Sequence, residues 1–259
     1  MDDMAGSSRS DSKLPRGRRP GSCRLAENGD MPLAAVIFDF FGTLTPSTPE
    51  HVWHAHTARS AAPLGVDAAA WRQTLNDSYA ERATGRLGDL PATFRELARR
   101  NGIMPDDRAL AAACAARLAA QRELFVFRPD ALAVLAKVRS SGLRVGVLSD
   151  CTIELAEAWS QLPVADLVDA RVLSCEVGRR KPDPELFAMI ASRLGVAPRQ
   201  CLYIGDGGGR ELTGASGCGM RAVMLRADDW AVNVAHTRED DWPGPSVQSL
   251  SAVVSLLGT

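Results

Sequence analysis

Lysine is scarce in this sequence: Lys13, Lys137 and Lys181 are the only three among 30 basic side chains. No apolar run approaches the roughly 18 residues that a membrane-spanning helix needs, so none is expected. Neither sign of charge dominates, with 30 Lys and Arg against 31 Asp and Glu. That balance gives no footing for a nucleic acid or a membrane surface as partner. Six cysteines are scattered without one Cys-x-x-Cys pair, which excludes a zinc ribbon and speaks against a disulfide framework. Reduced thiols in a cytoplasmic protein are the expectation. The first 30 residues lack an apolar segment, which excludes a secretory signal. Their Ser, Gly, Arg and Asp content predicts a disordered tail over 1–30, with Lys13, Arg16, Arg18 and Arg19 read as a solvated basic cluster.

What is present is a globular composition, 46% hydrophobic and 24% charged over 259 residues, enough for one large domain or two small ones. The chain is organised around Ala34 to Leu44. Its apolar opening reads as a strand buried on both faces, as in a parallel sheet. Asp39 ends it. A carboxylate closing a buried strand costs free energy unless it has a partner or a task. Open α/β sheets bind ligands at the carboxyl ends of their strands. Asp39 is therefore a candidate nucleophile or metal ligand, with a turn or N-cap aspartate as the structural alternative. Gly42 lets the chain turn, and Thr43 supplies a hydroxyl close by.

From Thr45 to Phe127 the pattern is helical. Trp71, Leu75 and Tyr79 recur at a four-residue spacing and predict one helix; Phe94 and Leu97 mark another after Pro91. Asp106 and Asp107 suit the cap of a helix over Arg108 to Leu124. No strand alternation appears, so a small helical bundle inserted after the first strand is expected. His51, His54 and His56 fall in its first helix. With no third ligand type such as Cys nearby, they read as solvated or partly packed, with substrate contact as the functional alternative.

Beyond Arg128, strands are expected at Leu143–Leu148, Val172–Leu173, Cys201–Ile204 and Ala222–Leu225. Helices fit around Leu132–Val138 and at Ile153–Ser160, Pro184–Leu194, Glu211–Cys218 and Ser249–Leu257. Such alternation means βαβ units, a parallel sheet and right-handed crossovers. Three strands end in polar residues: Asp39, Ser149-Asp150 and Gly205-Asp206. Converging on one sheet edge, they make a site. In Arg179-Arg180-Lys181-Pro182-Asp183-Pro184-Glu185, Asp183 suits the N-cap and Pro184 the first helical position. Lys181 then stands just before a helix N-terminus, where charge and dipole favour an anion.

These four elements, in this order, resemble the haloacid dehalogenase superfamily. Asp39-Phe40-Phe41-Gly42-Thr43-Leu44 looks like its first motif, Asp-x-Asp-Gly-Thr-Leu; Ser149 looks like the second, Lys181 the third, and Gly205-Asp206 with Glu211 the acidic fourth. The resemblance implies an α/β fold with a Rossmann-like parallel sheet core, residues 31–45 and 128–259. The all-helical insert 46–127 would be a type-one cap. It implies Asp39 as nucleophile, and Mg²⁺ held by Asp39, the backbone carbonyl of Phe41 and Asp206. Thr43, Ser149 and Lys181 would hold the phosphoryl group of a small-molecule substrate, with Glu211 orienting Lys181 or a metal-bound water.

One position departs from the motif. Relatives that are phosphatases carry a second Asp two residues after the nucleophile; here it is Phe41, which can neither donate nor accept a proton. General acid–base catalysis is typically worth roughly 10²–10⁴-fold. Asp150 and His51 are the substitute acid–base residues within reach. Three readings follow. The first is a Mg²⁺-dependent phosphatase with a replaced acid. The second is a 2-haloacid dehalogenase, whose members have an aromatic residue at this place but no metal-binding carboxylate in the fourth motif. The third is a catalytically impaired relative that binds a ligand. A phosphonatase needs a cap lysine, and the insert has none.

Overall fold

The computed structural model describes residues 31–229 and 239–257; the tail expected over 1–30 lies outside them. Six strands form one parallel sheet: β1 (Ala35–Phe38), β2 (Arg144–Ser149), β3 (Ala170–Leu173), β4 (Cys201–Gly205), β5 (Arg221–Leu225) and β6 (Ser246–Val247). Their spatial order is β3-β2-β1-β4-β5-β6. β1 is central, pairing Val36 with Val145 on one side and Leu202 on the other. Its four residues are fully buried, as the unbroken apolar run requires. β6, only two residues long, gave no signal in the sequence and pairs Met224 with Ser246.

Side chains alternate between the two faces of the sheet. Val36 and Phe38 pack with Leu135, Val138 and Leu250 on one face. Ala35, Ile37 and Tyr203 pack with Phe187, Ile190 and Leu212 on the other. The covering helices are α6 (Ala131–Ser140), α7 (Ile153–Ala158), α8 (Ser174–Val177), α9 (Pro184–Leu194), α10 (Glu211–Gly217) and α11 (Leu250–Val253). α9 starts as its sequence dictates: Oδ1 of Asp183 accepts from the amide of Glu185, and Pro184 takes the first helical position.

Five helices stand between β1 and α6: α1 (Glu50–Ala61), α2 (Ala68–Asp77), α3 (Tyr79–Ala83), α4 (Leu90–Arg100) and α5 (Asp107–Arg122). Asp67, Asp89 and Asp106 cap the second, fourth and fifth of them by accepting backbone amides. Trp71, Phe94 and Leu97 are buried within this bundle, with the Trp71 and Phe94 rings edge to face at 5.2 Å. Burying each such side chain contributes about 1.5–3 kcal/mol. The single helix expected through Trp71, Leu75 and Tyr79 is in fact two, broken at Ser78. There Oγ of Ser78 donates to the Leu75 carbonyl, the local competition by which a hydroxyl disrupts a helix. The break turns Tyr79 toward the sheet, where its hydroxyl donates to the Asp150 carbonyl at 3.4 Å. Among the described residues no helix is long and apolar enough to cross a membrane.

Candidate active site

Neighbouring strands β2, β1 and β4 end side by side, which brings Ser149-Asp150, Asp39 and Gly205-Asp206 to one sheet edge. The Asp39 amide donates to the Ile204 carbonyl at 2.9 Å, continuing the strand pairing to the carboxylate. Lys181, from the loop ahead of α9, enters this edge. Its Nζ lies 2.7 Å from Oδ1 of Asp39, 2.5 Å from Oε2 of Glu211 and 3.4 Å from the Tyr203 hydroxyl. All three charged side chains are buried, with Glu211 wholly inaccessible. Tyr203 donates to Oε2 of Glu211 at 2.7 Å, and the Gly207 amide donates to its Oε1 at 2.9 Å. Oxygens of Asp39, Asp206 and Glu211 all lie within 4.8 Å of one another.

Residues Phe40–Leu44 turn the chain away from the site. Gly42 holds φ 78°, a left-handed conformation, and a Cβ there would collide with Oδ2 of Asp206. Only glycine lets this turn approach the second carboxylate so closely. Arg128 fixes the turn from below α6's start: its Nε donates to the Thr43 carbonyl and one Nη to the Gly42 carbonyl, both at 2.9 Å. Thr43 and Ser149 are fully buried, and neither Oγ1 of Thr43 nor Oγ of Ser149 has a hydrogen-bond partner. A buried hydroxyl left without a partner costs free energy, so both are exceptions in this core.

Burial bears on the titration of Glu211, Lys181 and Asp150. It pushes Glu211 up to about 8, against the pull of Lys181 and with the push of Asp39 and Asp206. It works against the Lys181 ammonium too, but Asp39 and Glu211 outweigh it and hold Lys181 well above its ordinary value. Burial also raises Asp150, although Lys181 and Arg180 oppose it. Asp150 accepts from the Lys181 amide at 3.0 Å and from Nε of Arg180 at 3.3 Å.

A cavity of about 120 Å³ opens over these groups. Its lining includes Asp39, Phe41, Asp150, Lys181 and Asp206 on the sheet side and Tyr79 on the helical side. Of the two substitute acid–base candidates, Asp150 lines it. His51 is exposed and does not. His54 and His56 pair with Glu50 and Glu123, so the three histidines do not gather into a metal site. A family model described as haloacid dehalogenase-like hydrolase matches residues 33–219. The chain belongs to that family.

As a member of it, the chain is 28% identical over 213 residues to a glyceraldehyde 3-phosphate phosphatase of Methanopyrus kandleri, covering 82% of this chain and 91% of that one. It is also 28% identical over 207 residues to an (S)-2-haloacid dehalogenase 4A of Burkholderia cepacia, covering 74% and 83%. Its fold is shared with the crystal structure of a 2-haloacid dehalogenase from Pseudomonas syringae pv. Tomato, at a TM-score of 0.64 and 20% identity over 87% and 98% of the two chains. The helical insertion after β1 is the cap of this hydrolase fold. Three site residues carry no motif and were missed in the sequence: Arg128, Tyr203 and Arg180. Tyr203 left one signal, since a tyrosine in a fully buried strand must find a partner for its hydroxyl.

Proposed function

We propose that this hydrolase is a Mg²⁺-dependent phosphatase of a small phosphate ester, acting through Asp39. The observation that carries the reading is the meeting of Asp39 and Asp206 oxygens beside Lys181, with the Thr43 and Ser149 hydroxyls unpartnered. The donor set fits the metal: hard oxygens suit Mg²⁺, which takes one or two carboxylates and keeps several waters. Both Glu211 oxygens are already engaged, by Lys181 and Tyr203 and by the Gly207 amide. Asp39, the Phe41 carbonyl and Asp206 are thus the ligands, and Glu211 positions Lys181. When bound, Mg²⁺ neutralises charge on the phosphoryl oxygens.

In this reading an Asp39 oxygen attacks phosphorus, the ester P–O bond breaks, and water then hydrolyses the acyl phosphate to return Asp39 and release orthophosphate. Lys181, Thr43 and Ser149 hold the phosphoryl oxygens throughout. Asp150, lining the cavity and raised by burial, supplies the proton that Phe41 cannot. Residues 46–127 act as the cap over the core of 31–45 and 128–259. The described cysteines are free thiols, which supports a reducing cytoplasmic setting.

Phe41 also favours a second reading, hydrolysis of a 2-haloacid, as in the name of the Burkholderia relative. The two separate in one assay. Phosphate released from aryl and acyl phosphates in Mg²⁺ and not in EDTA supports the first reading. Halide released from 2-haloacids in EDTA, without phosphatase activity, replaces it with the second.

A further inference from the structure

The cap side of the cavity holds more positive charge than the protein neutralises. Arg72, Arg82 and Arg117 line it, and the cap contributes no acidic side chain to that lining. Arg72 is paired with the half-exposed Glu50. Arg82 and Arg117 are only 9% and 5% exposed. They share one buried carboxylate, Glu154 of α7, whose Oε1 accepts from Nε of Arg117 at 2.7 Å. The hydrogen bonds of Arg82 go to neutral acceptors instead: Oγ of Ser78 at 3.2 Å and the Leu75 carbonyl at 2.7 Å. Two buried guanidiniums against one buried carboxylate leave one positive charge in excess. A buried charge without a partner is strongly unfavourable, so this wall is built for an anion that the chain does not contain. On the sheet side every carboxylate has another cation: Asp39 and Glu211 bind Lys181, Asp150 pairs with Arg180, and in the phosphatase reading Asp206 holds Mg²⁺.

We propose that Arg82 and Arg117 form a carboxylate subsite, and that the substrate is a small phosphate ester bearing a carboxylate at the end away from its phosphoryl group. The inference rests on the phosphatase reading above and adds the substrate class. One excess positive charge is balanced by one carboxylate; a second phosphate, with up to two charges, would overshoot. Arg117 spends only its Nε on Glu154 and Arg82 its Nε and one Nη on Ser78 and Leu75, so the remaining Nη groups of the two guanidinium forks can donate to a carboxylate.

The test compares matched substrates that differ only at the far end: 2-phosphoglycolate against 2-hydroxyethyl phosphate, and 3-phosphooxypropionate against 3-hydroxypropyl phosphate, all with Mg²⁺. The wild-type protein is expected to prefer the carboxylate of at least one pair by about 10- to 100-fold in kcat/KM, the range of hydrogen bonds to a charged group. Arg82→Gln should bring that ratio toward unity. Arg82→Lys, which keeps the charge and loses the fork, should lie between and carries the test if Arg82→Gln does not fold. A wild-type ratio near unity in both pairs overturns the subsite and leaves the phosphatase reading standing. So does a strong ratio that survives in both folded variants. Failure to turn over any phosphate ester overturns the phosphatase reading, and the subsite with it.

Discussion

Nζ of Lys181 lies 2.7 Å from Oδ1 of Asp39, across 142 positions of sequence. The same Nζ binds Glu211, so one ammonium holds two buried carboxylates at the sheet edge. Removing it strips both buried carboxyl groups of their cation and leaves Glu211, already raised to about 8, to take up a proton, a loss of about 3–5 kcal/mol for a broken buried pair. Lys181→Met should therefore lower the melting temperature sharply and weaken orthophosphate binding even without metal. Asp206→Asn should fail differently, with Mg²⁺ affinity lost by calorimetry while orthophosphate still binds. Equal Mg²⁺ affinity in wild type and Asp206→Asn would remove Asp206 from the metal site.

Ser149 separates stability from function. Its buried Oγ has no partner, so Ser149→Ala removes an unsatisfied polar group and gives up no hydrogen bond. The variant is expected to melt at or slightly above the wild-type temperature. If the hydroxyl is kept for a phosphoryl oxygen, orthophosphate or vanadate affinity should fall about tenfold, the value of one hydrogen bond near 1.4 kcal/mol. A lower melting temperature with unchanged anion affinity would make Ser149 a structural residue.

Glu154 and Arg117 tie the cap to the sheet domain, and their contribution depends on pH. Burial disfavours the Glu154 carboxylate, but Arg117 and Arg82 overcome it and hold it down at about 2, from an ordinary 4.5. A carboxyl group depressed in the folded state stabilises above its unfolded value, and that stabilisation is lost as pH falls through the folded one. Wild type should thus lose this contribution between about pH 4.5 and 2. Glu154→Gln should be less stable at pH 7, and its melting temperature should fall less steeply over the same acid range. Parallel pH curves for the two proteins would show that the pair contributes nothing.

What could be read from sequence follows from where the relevant partner lies. Asp39, Ser149 and Asp206 announce themselves locally, because a polar residue ending an apolar run is informative without its neighbours. Lys181 was legible through the helix start that Asp183 and Pro184 mark. Arg128, Tyr203 and the Arg82–Arg117–Glu154 group were not. Arg128 binds carbonyls 85 and 86 positions earlier, and Arg117 meets Glu154 37 positions on. In sequence such arginines are indistinguishable from those of a solvated helix face. The break at Ser78 escaped for the opposite reason: Trp71, Leu75 and Tyr79 keep helical spacing, and a single hydroxyl overrides it.

Phe41 is the position where a substitution says most. It lines the cavity beside Asp39, two residues on, with its ring centroid 4.9 Å from that of Phe40 and 6.3 Å from that of Phe125. An aspartic acid placed there could protonate a departing alkoxide, which a phenyl ring cannot. If the protein is a metal-dependent phosphatase in which Asp150 does not deliver the proton, Phe41→Asp should raise turnover of alkyl phosphates, whose leaving groups need one. The gain approaches roughly 10²–10⁴-fold where the geometry is right. Aryl and acyl phosphates leave without help and should gain far less. Two costs act against the gain. The lost ring contacts destabilise the protein by about 0.5–1.5 kcal/mol per aromatic pair. A second carboxylate near Asp39 and Asp206 is also disfavoured as an anion, though this holds it protonated and ready to donate. The decisive quantity is the ratio of alkyl to aryl turnover, measured at saturating Mg²⁺ in both proteins. A ratio that rises identifies Phe41 as the replaced acid. A ratio that stays constant, with both turnovers unchanged or both improved alike, assigns the proton to another group, and Asp150→Asn, which should then abolish alkyl turnover in the wild-type background, becomes the variant that locates it.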